Sequence, residues 1–281
     1  MKASQSVNDT LDFIPTGFVG FDAALGGGIP SKKITEISGR YSMGKSTLAL
    51  QLVAQAQRLK KKCLWADSEL SYHNAYAATL GVQTEELELL QQTEYAESLL
   101  DGIEEWAAKH KNGLIVLDAV GALLPREESE KGAEGRSIGL QARLLGSFCR
   151  RIVPIITRQN HALLILNHEF IDVQNGRLKT SGGMKLEYAK SIWFTLKRTF
   201  GKQPKRNGDG TRTVIFMEAE IRKNKVAPTE GTKVELEMVV GHGFVTNAAE
   251  LVPPKRRGRP PGVTRLTTEE ETTAKVTGDQ N

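Results

Sequence analysis

The residues best suited to chemistry form a short glycine-rich loop between two apolar segments. Residues 39–46 match the pattern Gly-x-x-x-x-Gly-Lys-Ser. In this pattern backbone N–H groups converge on phosphate oxygens, the lysine neutralises the β and γ phosphates, and the serine hydroxyl reaches Mg²⁺. The loop therefore predicts a nucleotide site with ATP and Mg²⁺ as cofactors. We assign to this site the residues Gly39, Arg40, Tyr41, Ser42, Met43, Gly44, Lys45, Ser46 and Thr47.

Two acidic residues follow apolar runs that have the length of buried strands. Asp118 ends the run Leu-Ile-Val-Leu, and Glu69 comes shortly after residues 63–66. A carboxylate at a strand end can orient the Mg²⁺ shell, so Asp118 and Ser46 are the predicted metal contacts. A second carboxylate at the same sheet edge can polarise the attacking water, which makes Glu69 the candidate general base. Outside this context, Asp118 would read as a helix cap and Glu69 as a surface residue.

Alternating strand and helix patterns must position these residues. Short runs rich in apolar residues predict strands at residues 34–38, 63–66, 114–117, 161–166, 191–197 and 214–220. Apolar periodicity predicts helices at residues 45–60, 97–109 and 140–159. Such alternation is typical of an α/β fold with a mostly parallel central sheet flanked by helices. We expect ordered structure from the turn at residues 26–30, and a basic hairpin at residues 201–213.

Composition restricts the remaining possibilities. The chain has 281 residues, of which 39% are hydrophobic and 25% charged, as in ordinary globular proteins. No apolar run has the length of a membrane-spanning helix, and the polar N-terminus lacks the apolar region of a signal peptide, so we expect a cytoplasmic protein. Cys63 and Cys149 stand far apart, which argues against a disulfide or metal framework. The formal net charge is +5, and the excess lies in the C-terminal tail.

The order of these motifs resembles the RecA/RadA recombinase core. The resemblance covers residues 15–252 and implies a RecA-like P-loop ATPase fold. It is carried by the loop at 39–46 and by Asp67-Ser68-Glu69, Tyr76-Ala77, Leu80-Gly81-Val82, Leu117-Asp118, and the blocks at 122–125, 139–143, 167–168, 180–183 and 223–228. The pair Asn167-His168 is similar to that of phage recombinases of the UvsX kind, which suggests a phage-like or plasmid-like origin.

The resemblance implies roles for residues outside the loop. By analogy, Tyr76 stacks on adenine, Glu69 activates water, and His168 senses the γ-phosphate. Lys223 and Lys225, two residues apart in the sequence, would reach the ATP of an adjacent subunit. This arrangement implies a homo-oligomer or helical filament with ATP at the subunit interface. Without the resemblance, the two lysines would read as a solvated strand edge.

Two segments correspond by resemblance to DNA-binding loops, at residues 126–138 and 169–181. Both contain glycine and are polar, as mobile loops are. The first also carries several glutamates, which weaken its attraction for DNA. The DNA contacts implied by the resemblance are Ile138, Ile171 or Val173 as wedges between bases, and Arg143, Arg150, Gly182 and Gly183 as phosphate contacts.

The chain divides into a flexible arm at residues 1–12, an ATPase core at 13–252 and a tail at 253–281. The tail contains Arg257-Gly258-Arg259 followed by proline, which resembles an AT-hook for duplex DNA. A basic solubilising tail or a localisation signal is the alternative. The long N-terminal helix and the folded C-terminal domain of the family are not recognisable. Either the short N-terminal segment with Phe13 supports assembly, or the filaments are weak.

Three hypotheses remain open at this point. The first is an ATP-dependent recombinase that forms a nucleoprotein filament on single-stranded DNA and promotes homologous pairing and strand exchange with duplex DNA. The second is a RecA-like accessory or regulatory ATPase without strand exchange. The third, a hexameric helicase core, shares the nucleotide loop but is not expected to carry the Lys223-Asn224-Lys225 block.

Overall fold

The computed structural model describes residues 11–92, 94–131, 139–172, 176, 178–206, 213–245 and 251–252. The strands in these residues are numbered in chain order. They are β1 (Phe13–Ile14), β2 (Ile29–Pro30), β3 (Ile34–Gly39), β4 (Cys63–Asp67), β5 (Leu87–Gln91), β6 (Leu114–Asp118), β7 (Ala162–Ile171), β8 (Leu178–Thr180), β9 (Ile192–Arg198), β10 (Lys205–Arg206), β11 (Thr213–Asn224), β12 (Lys233–Val239), β13 (Gly243–Val245) and β14 (Leu251–Val252).

The α-helices of the same residues alternate with the strands through most of the chain. They are α1 (Val19–Leu25), α2 (Lys45–Arg58), α3 (Asn74–Thr79), α4 (Ala96–Lys109), α5 (Arg126–Lys131), α6 (Leu140–Gln159) and α7 (Gly183–Ala189). Short 3-10 turns lie at Thr84–Glu86 and Val120–Ala122. The expected alternation of strands and helices is thus confirmed.

The described strands, apart from β1 and β2, form one twelve-stranded sheet. Its main order is β13-β12-β11-β9-β3-β7-β6-β4-β5. The strands from β9 to β5 in this order run parallel to one another, whereas β11, β12 and β13 extend the sheet antiparallel beyond β9. Because parallel strands end at the same sheet edge, the residues after β3, β4, β6 and β7 are brought together.

The sheet separates two apolar cores, one on each face. Successive side chains of a strand point to opposite faces, and Val116 packs with α1 and α2 while its neighbour Ile115 packs with α4 and α6. The central strands β3 and β6 are buried along their whole length. Burial on both faces explains why residues 114–117 of β6 are all apolar instead of alternating. In β3 the buried Glu36 is paired with Lys190, whose Nζ lies 3.0 Å from Glu36 Oε1.

Several elements differ from the sequence-based expectation. Helix α1 lies before the turn at which we expected ordered structure to begin, and it ends at Gly26, whose φ of 88° closes the helix in a left-handed conformation. Phe13 lies in β1, which pairs with β2 of the same chain. Helix α5 occupies the first part of the segment at 126–138. The ends of β7 and β8 form a hairpin within the segment at 169–181.

No helix in the described part of the chain is long and apolar enough to cross a membrane. Both cysteines are buried free thiols. Burial raises the pKa of the Cys63 thiol to about 12 and that of the Cys149 thiol to about 11. At neutral pH both side chains are therefore protonated and unreactive.

Candidate nucleotide site

The loop between β3 and α2 is shaped by glycines that no larger residue can replace. Gly39 has a φ of 157°, and a Cβ atom at this position would lie 2.6 Å from the carbonyl oxygen of Leu196. Gly44 has a left-handed φ of 78°, and its Cβ would lie 2.9 Å from the sulfur of Met238. The backbone therefore lies close to its surroundings, with the first turn of α2 directly behind the loop. This is the cradle that a polyphosphate requires.

Lys45 is buried at the start of α2, and its ammonium group faces the loop. Nζ donates to the carbonyl oxygens of Gly39 and Arg40, each at 3.1 Å. Burial lowers the pKa of Lys45, and the charges of Asp118, Glu69 and Glu169 oppose this effect. The lysine is therefore a desolvated cation surrounded by three carboxylates, positioned to exchange its backbone partners for phosphate oxygens.

Asp118 ends β6 beside the loop, as the sequence predicts. Its side chain is only 2% exposed and accepts a hydrogen bond from Ser46. The pKa of Asp118 is raised to about 7, mainly by burial and also by the nearby charges of Glu69 and Asp67, while the Ser46 hydrogen bond and Lys45 act in the opposite direction. A hydroxyl and a carboxylate in contact are oxygen ligands of the kind that Mg²⁺ prefers, so the two predicted metal contacts fit the ion.

Glu69 lies on a loop that follows β4 and is held by its two neighbours. Asp67 is fully buried and accepts hydrogen bonds from the backbone N–H groups of Ser71 and Tyr72, at 3.2 and 3.0 Å. The hydroxyl of Ser68 donates to the carbonyl oxygen of Ala119 at 2.6 Å. These bonds fix the loop against the end of β6. Sequence reasoning assigned a role to Glu69 alone in this block and missed the holding role of Asp67 and Ser68.

His168, near the middle of β7, connects the lysine to the candidate general base. Its Nδ1 lies 3.3 Å from Lys45 Nζ, and its Nε2 lies 2.9 Å from Glu69 Oε1. Because an ammonium group can only donate, Nδ1 accepts and Nε2–H donates to the carboxylate. The structure thus brings Lys45, His168 and Glu69 into one hydrogen-bonded chain, with Asp118 beside it.

Two tyrosines adjoin the loop on different sides. The hydroxyl of Tyr76, in α3, lies 2.9 Å from Thr47 Oγ1 at the start of α2. Tyr76 is therefore next to the nucleotide loop, where a base-stacking residue is expected. Tyr41 is 78% exposed, and its ring centroid lies 5.0 Å from that of His168.

Lys223, near the end of β11, and Lys225, just after that strand, do not lie at this site. Lys223 Nζ donates to the carbonyl oxygen of Glu187 at 2.5 Å, and Lys225 Nζ donates to that of Tyr188 at 3.1 Å. Both carbonyl groups belong to the C-terminal end of α7. Burial lowers the pKa of Lys223, and the positive charges of Lys225 and Lys190 lower it further.

The candidate DNA contacts that the structure describes are exposed, except Gly182, which is buried. Arg143 and Arg150 are exposed on α6, about two helical turns apart. Ile171, at the end of β7, is 53% exposed. Gly182 and Gly183 begin α7 with positive φ values, and Asn167 ties the preceding Ser181 to β7. Five further candidates lie outside the described residues, namely Ile138, Val173, Arg257, Gly258 and Arg259.

The glycine loop, the buried lysine and the acid at the end of a parallel strand define a P-loop nucleotide-binding protein of the α/β class. Comparison with known proteins specifies the class further. The family model described as RecA N-terminal domain matches residues 1–245. Three proteins named RecA illustrate the similarity. The protein from Desulfovibrio desulfuricans is 34% identical over 257 residues, which cover 90% of this chain and 70% of that protein. The proteins from Thermus aquaticus and Thermus thermophilus are 36% and 35% identical over 248 residues, which cover 87% of this chain and 72% of each of those proteins. The chain belongs to the RecA family of ATP-dependent recombinases.

Proposed function

We propose that this chain binds ATP with Mg²⁺, assembles as a filament on single-stranded DNA, and hydrolyses ATP when DNA is bound. The proposal includes homologous pairing and strand exchange with duplex DNA. The observation that carries it is the convergence of Lys45, His168 and Glu69 beside Asp118 at one edge of the parallel sheet.

The phosphate contacts follow from the donors that the loop presents. Lys45 is held by two carbonyl oxygens and an imidazole, none of which carries the full charge that an ammonium group prefers as a partner. A γ-phosphate offers stronger acceptors, so nucleotide binding moves the lysine from these partners to phosphate. Ser46 and Asp118 would hold Mg²⁺, which neutralises the charge that develops on the phosphate oxygens.

Glu69 is the general base of the proposed reaction. Its carboxylate accepts from His168 and is about one-third exposed, so it can also reach a water molecule. When Lys45 leaves His168 for phosphate, Nδ1 loses its donor. His168 then faces the nucleotide on one side and the base on the other, which suits it to sense the γ-phosphate.

The position of Lys223 and Lys225 supports a site shared between subunits. Lys223 pairs with Trp193 in the sheet, and the adjacent Ile192 lies beside Thr35 of β3. Thr35 is about 13 Å before Gly39 along the strand, at roughly 3.3 Å per residue. The lysines therefore lie toward the opposite sheet edge from their own nucleotide loop. A phosphate that meets them belongs to a second copy of the chain.

The cationic surroundings of these lysines favour an anionic partner. Lys223 lies in the field of Lys225 and Lys190, and the pKa of Lys33 is also lowered, by burial and by Lys225 and Lys32. Clustered cations repel one another, and a phosphate at this surface would relieve the repulsion. Assembly would then depend on bound ATP, as the proposed filament requires.

The DNA contacts rest on the resemblance and on exposure. Arg143 and Arg150 can reach phosphates from one side of α6, and Ile171 is free to contact bases. We retain the division of the chain into an arm at residues 1–12, a core at 13–252 and a tail at 253–281. The tail with Arg257-Gly258-Arg259 would bind the minor groove of AT-rich duplex DNA while the core binds a single strand.

Measurement of ATP hydrolysis with and without single-stranded DNA tests the proposal. Wild-type protein should hydrolyse ATP faster with DNA, and Lys45→Ala should abolish turnover because the phosphate charge is left uncompensated. Lys109→Ala, which removes an exposed lysine at the end of α4, is the matched control and should behave as wild type. Turnover in Lys45→Ala equal to wild type would refute the site.

A further inference from the structure

A carboxylate at the edge of the nucleotide site joins three strands of the sheet. Glu169 Oε1 accepts from the hydroxyl of Ser38 in β3 at 2.6 Å and from the hydroxyl of Thr195 in β9 at 2.7 Å. Glu169 itself lies in β7. Ser38 directly precedes Gly39, the first residue of the phosphate loop, so the junction lies immediately behind the site.

The hydrogen-bonding capacity of the two hydroxyl groups accounts for the junction. Ser38 Oγ accepts from the indole Nε1–H of Trp193 at 2.7 Å and has one proton of its own. The hydroxyls of Ser38 and Thr195 lie 2.9 Å apart, and both are within donor distance of the same carboxylate oxygen. Since each hydroxyl has a single proton, an ionised Glu169 orients both protons toward itself. Ser38 is fully buried and Thr195 is 1% exposed, so both hydroxyl groups are shielded from bulk water, and the Glu169 carboxylate is half-buried.

Glu169 also stands between the nucleotide site and the candidate DNA-binding hairpin. It directly follows His168, whose imidazole contacts Lys45 and Glu69. Its backbone pairs with Thr180 of β8, the strand that leads to Ser181 and α7. A displacement of the hairpin would therefore reach residue 169 before it reached His168.

We propose that Glu169 is a positioning residue, which anchors β7 to Ser38 and Thr195 and so holds the His168 imidazole against Lys45 and Glu69. The inference rests on the proposed function, because it concerns ATP hydrolysis stimulated by DNA. Without the anchor, the end of β7 follows the hairpin and His168 loses its fixed geometry. With the anchor, movement of the hairpin of β7 and β8 is transmitted to Ser38, the residue before the phosphate loop.

The junction of Glu169 with Ser38 and Thr195 has a simpler interpretation, in which it only stabilises the packing of three strands. That role would change the stability of the protein and leave the catalytic parameters of the folded fraction unchanged. The positioning role makes a different prediction. If Glu169 positions His168, loss of the junction lowers kcat with DNA. The KM for ATP stays nearly unchanged, because the phosphate contacts of Lys45 and Ser46 remain.

Paired substitutions on β9 separate these two roles. Thr195→Val removes the hydroxyl and keeps the shape of the side chain, whereas Thr195→Ser keeps the hydroxyl. Thr199→Val is the matched control, because the hydroxyl of Thr199 has no hydrogen-bond partner among the described residues. Glu169→Ala removes the acceptor itself, and the double variant of Glu169→Ala with Thr195→Val tests whether the two residues act through one junction.

The measurement is steady-state ATP hydrolysis with and without single-stranded DNA, beside thermal unfolding of each variant. We expect Thr195→Val and Glu169→Ala each to lower kcat with DNA by about tenfold, the effect expected for loss of a hydrogen bond to a charged group. The KM for ATP should stay within about twofold, since ground-state phosphate contacts are retained. Thr195→Ser and Thr199→Val should match wild type, and the double variant should lose no more than Glu169→Ala.

Three results would overturn the inference. They are an unchanged kcat in Thr195→Val, a loss that Thr195→Ser does not rescue, or losses in the double variant that multiply as for independent sites. A wild-type protein without DNA-stimulated hydrolysis would overturn the proposed function, and this inference with it. Normal wild-type stimulation together with an unchanged Thr195→Val would overturn the inference alone.

Discussion

Substitution of Asp118 by asparagine should stabilise the nucleotide-free protein while it destroys metal binding. Burial raises the pKa of Asp118 from 3.8 to about 7, a difference of about three units. Each unit corresponds to ~1.4 kcal/mol, so an ionised Asp118 costs the folded protein about 4 kcal/mol. Asparagine has nearly the same shape and carries no charge. The wild-type residue would thus be retained for its metal contact at the expense of stability.

The dependence of this effect on pH has a definite sign. An acid with a raised pKa in the folded state binds its proton more tightly there, so folding is favoured at low pH. The contribution of Asp118 to the free energy of unfolding falls as the pH rises from about 4 to about 7, and it is constant above that range. The advantage of Asp118→Asn over wild type should therefore grow from about 1.5 kcal/mol near pH 5 to about 4 kcal/mol near pH 8. All other titrating groups are common to both proteins.

Urea unfolding at these two pH values measures the difference directly. Asp101→Asn is the control, because Asp101 is an exposed carboxylate whose contact with Arg151 is 3.5 Å long, and its removal should change stability by less than about 1 kcal/mol. Addition of Mg²⁺ and an ATP analogue should stabilise wild type and leave Asp118→Asn nearly unaffected. If Asp118→Asn is no more stable than wild type near pH 8, or if its advantage is independent of pH, Asp118 is not a carboxylate whose burial destabilises the folded protein.

Three further changes test separate parts of the account. Glu69→Gln should retain ATP binding and slow hydrolysis by about 100-fold or more, as for loss of a general base, and an unchanged rate would place the water-activating group elsewhere. Lys223→Ala and Lys225→Ala should leave ATP binding by the monomer nearly intact but lower DNA-stimulated hydrolysis and filament length, because the phosphate that we propose for them belongs to the next subunit. In mixtures of either variant with Glu69→Gln, strictly additive activity would count against a shared site. Deletion of residues 253–281 should spare hydrolysis on single strands and weaken binding to AT-rich duplex more than to GC-rich duplex at matched salt; equal losses would reduce the motif to nonspecific charge.

The sequence predicts the part of the site that depends on strand ends. The loop at 39–46 begins at the end of the buried strand β3, Asp118 ends the buried strand β6, and the carboxyl ends of parallel strands meet at one edge in any such fold. The placement of Lys45, Asp118 and Glu69 near one another therefore needs only strand order and direction. The need for glycine at positions 39 and 44 also follows from the sequence pattern, since the phosphate loop allows no side chain there.

Contacts between distant segments could not be read from the sequence. The junction of Glu169 with Ser38 and Thr195 depends on β7, β3 and β9 being neighbours and on their register, which no local pattern specifies. Likewise, the contacts of Lys223 and Lys225 with the end of α7 require the position of a helix of only seven residues. Short helices such as α1 and α7 have too few turns for a clear apolar periodicity.

The most direct test of the account is whether the chain forms filaments on single-stranded DNA in an ATP-dependent manner. Negative-stain microscopy of the full chain with single-stranded DNA, Mg²⁺ and a slowly hydrolysed ATP analogue provides the measurement. The account predicts regular filaments with wild type, shorter or absent filaments with Lys223→Ala and Lys225→Ala, and none without nucleotide. A wild-type protein that binds ATP but remains monomeric on DNA would contradict it, and would favour an accessory ATPase over a recombinase.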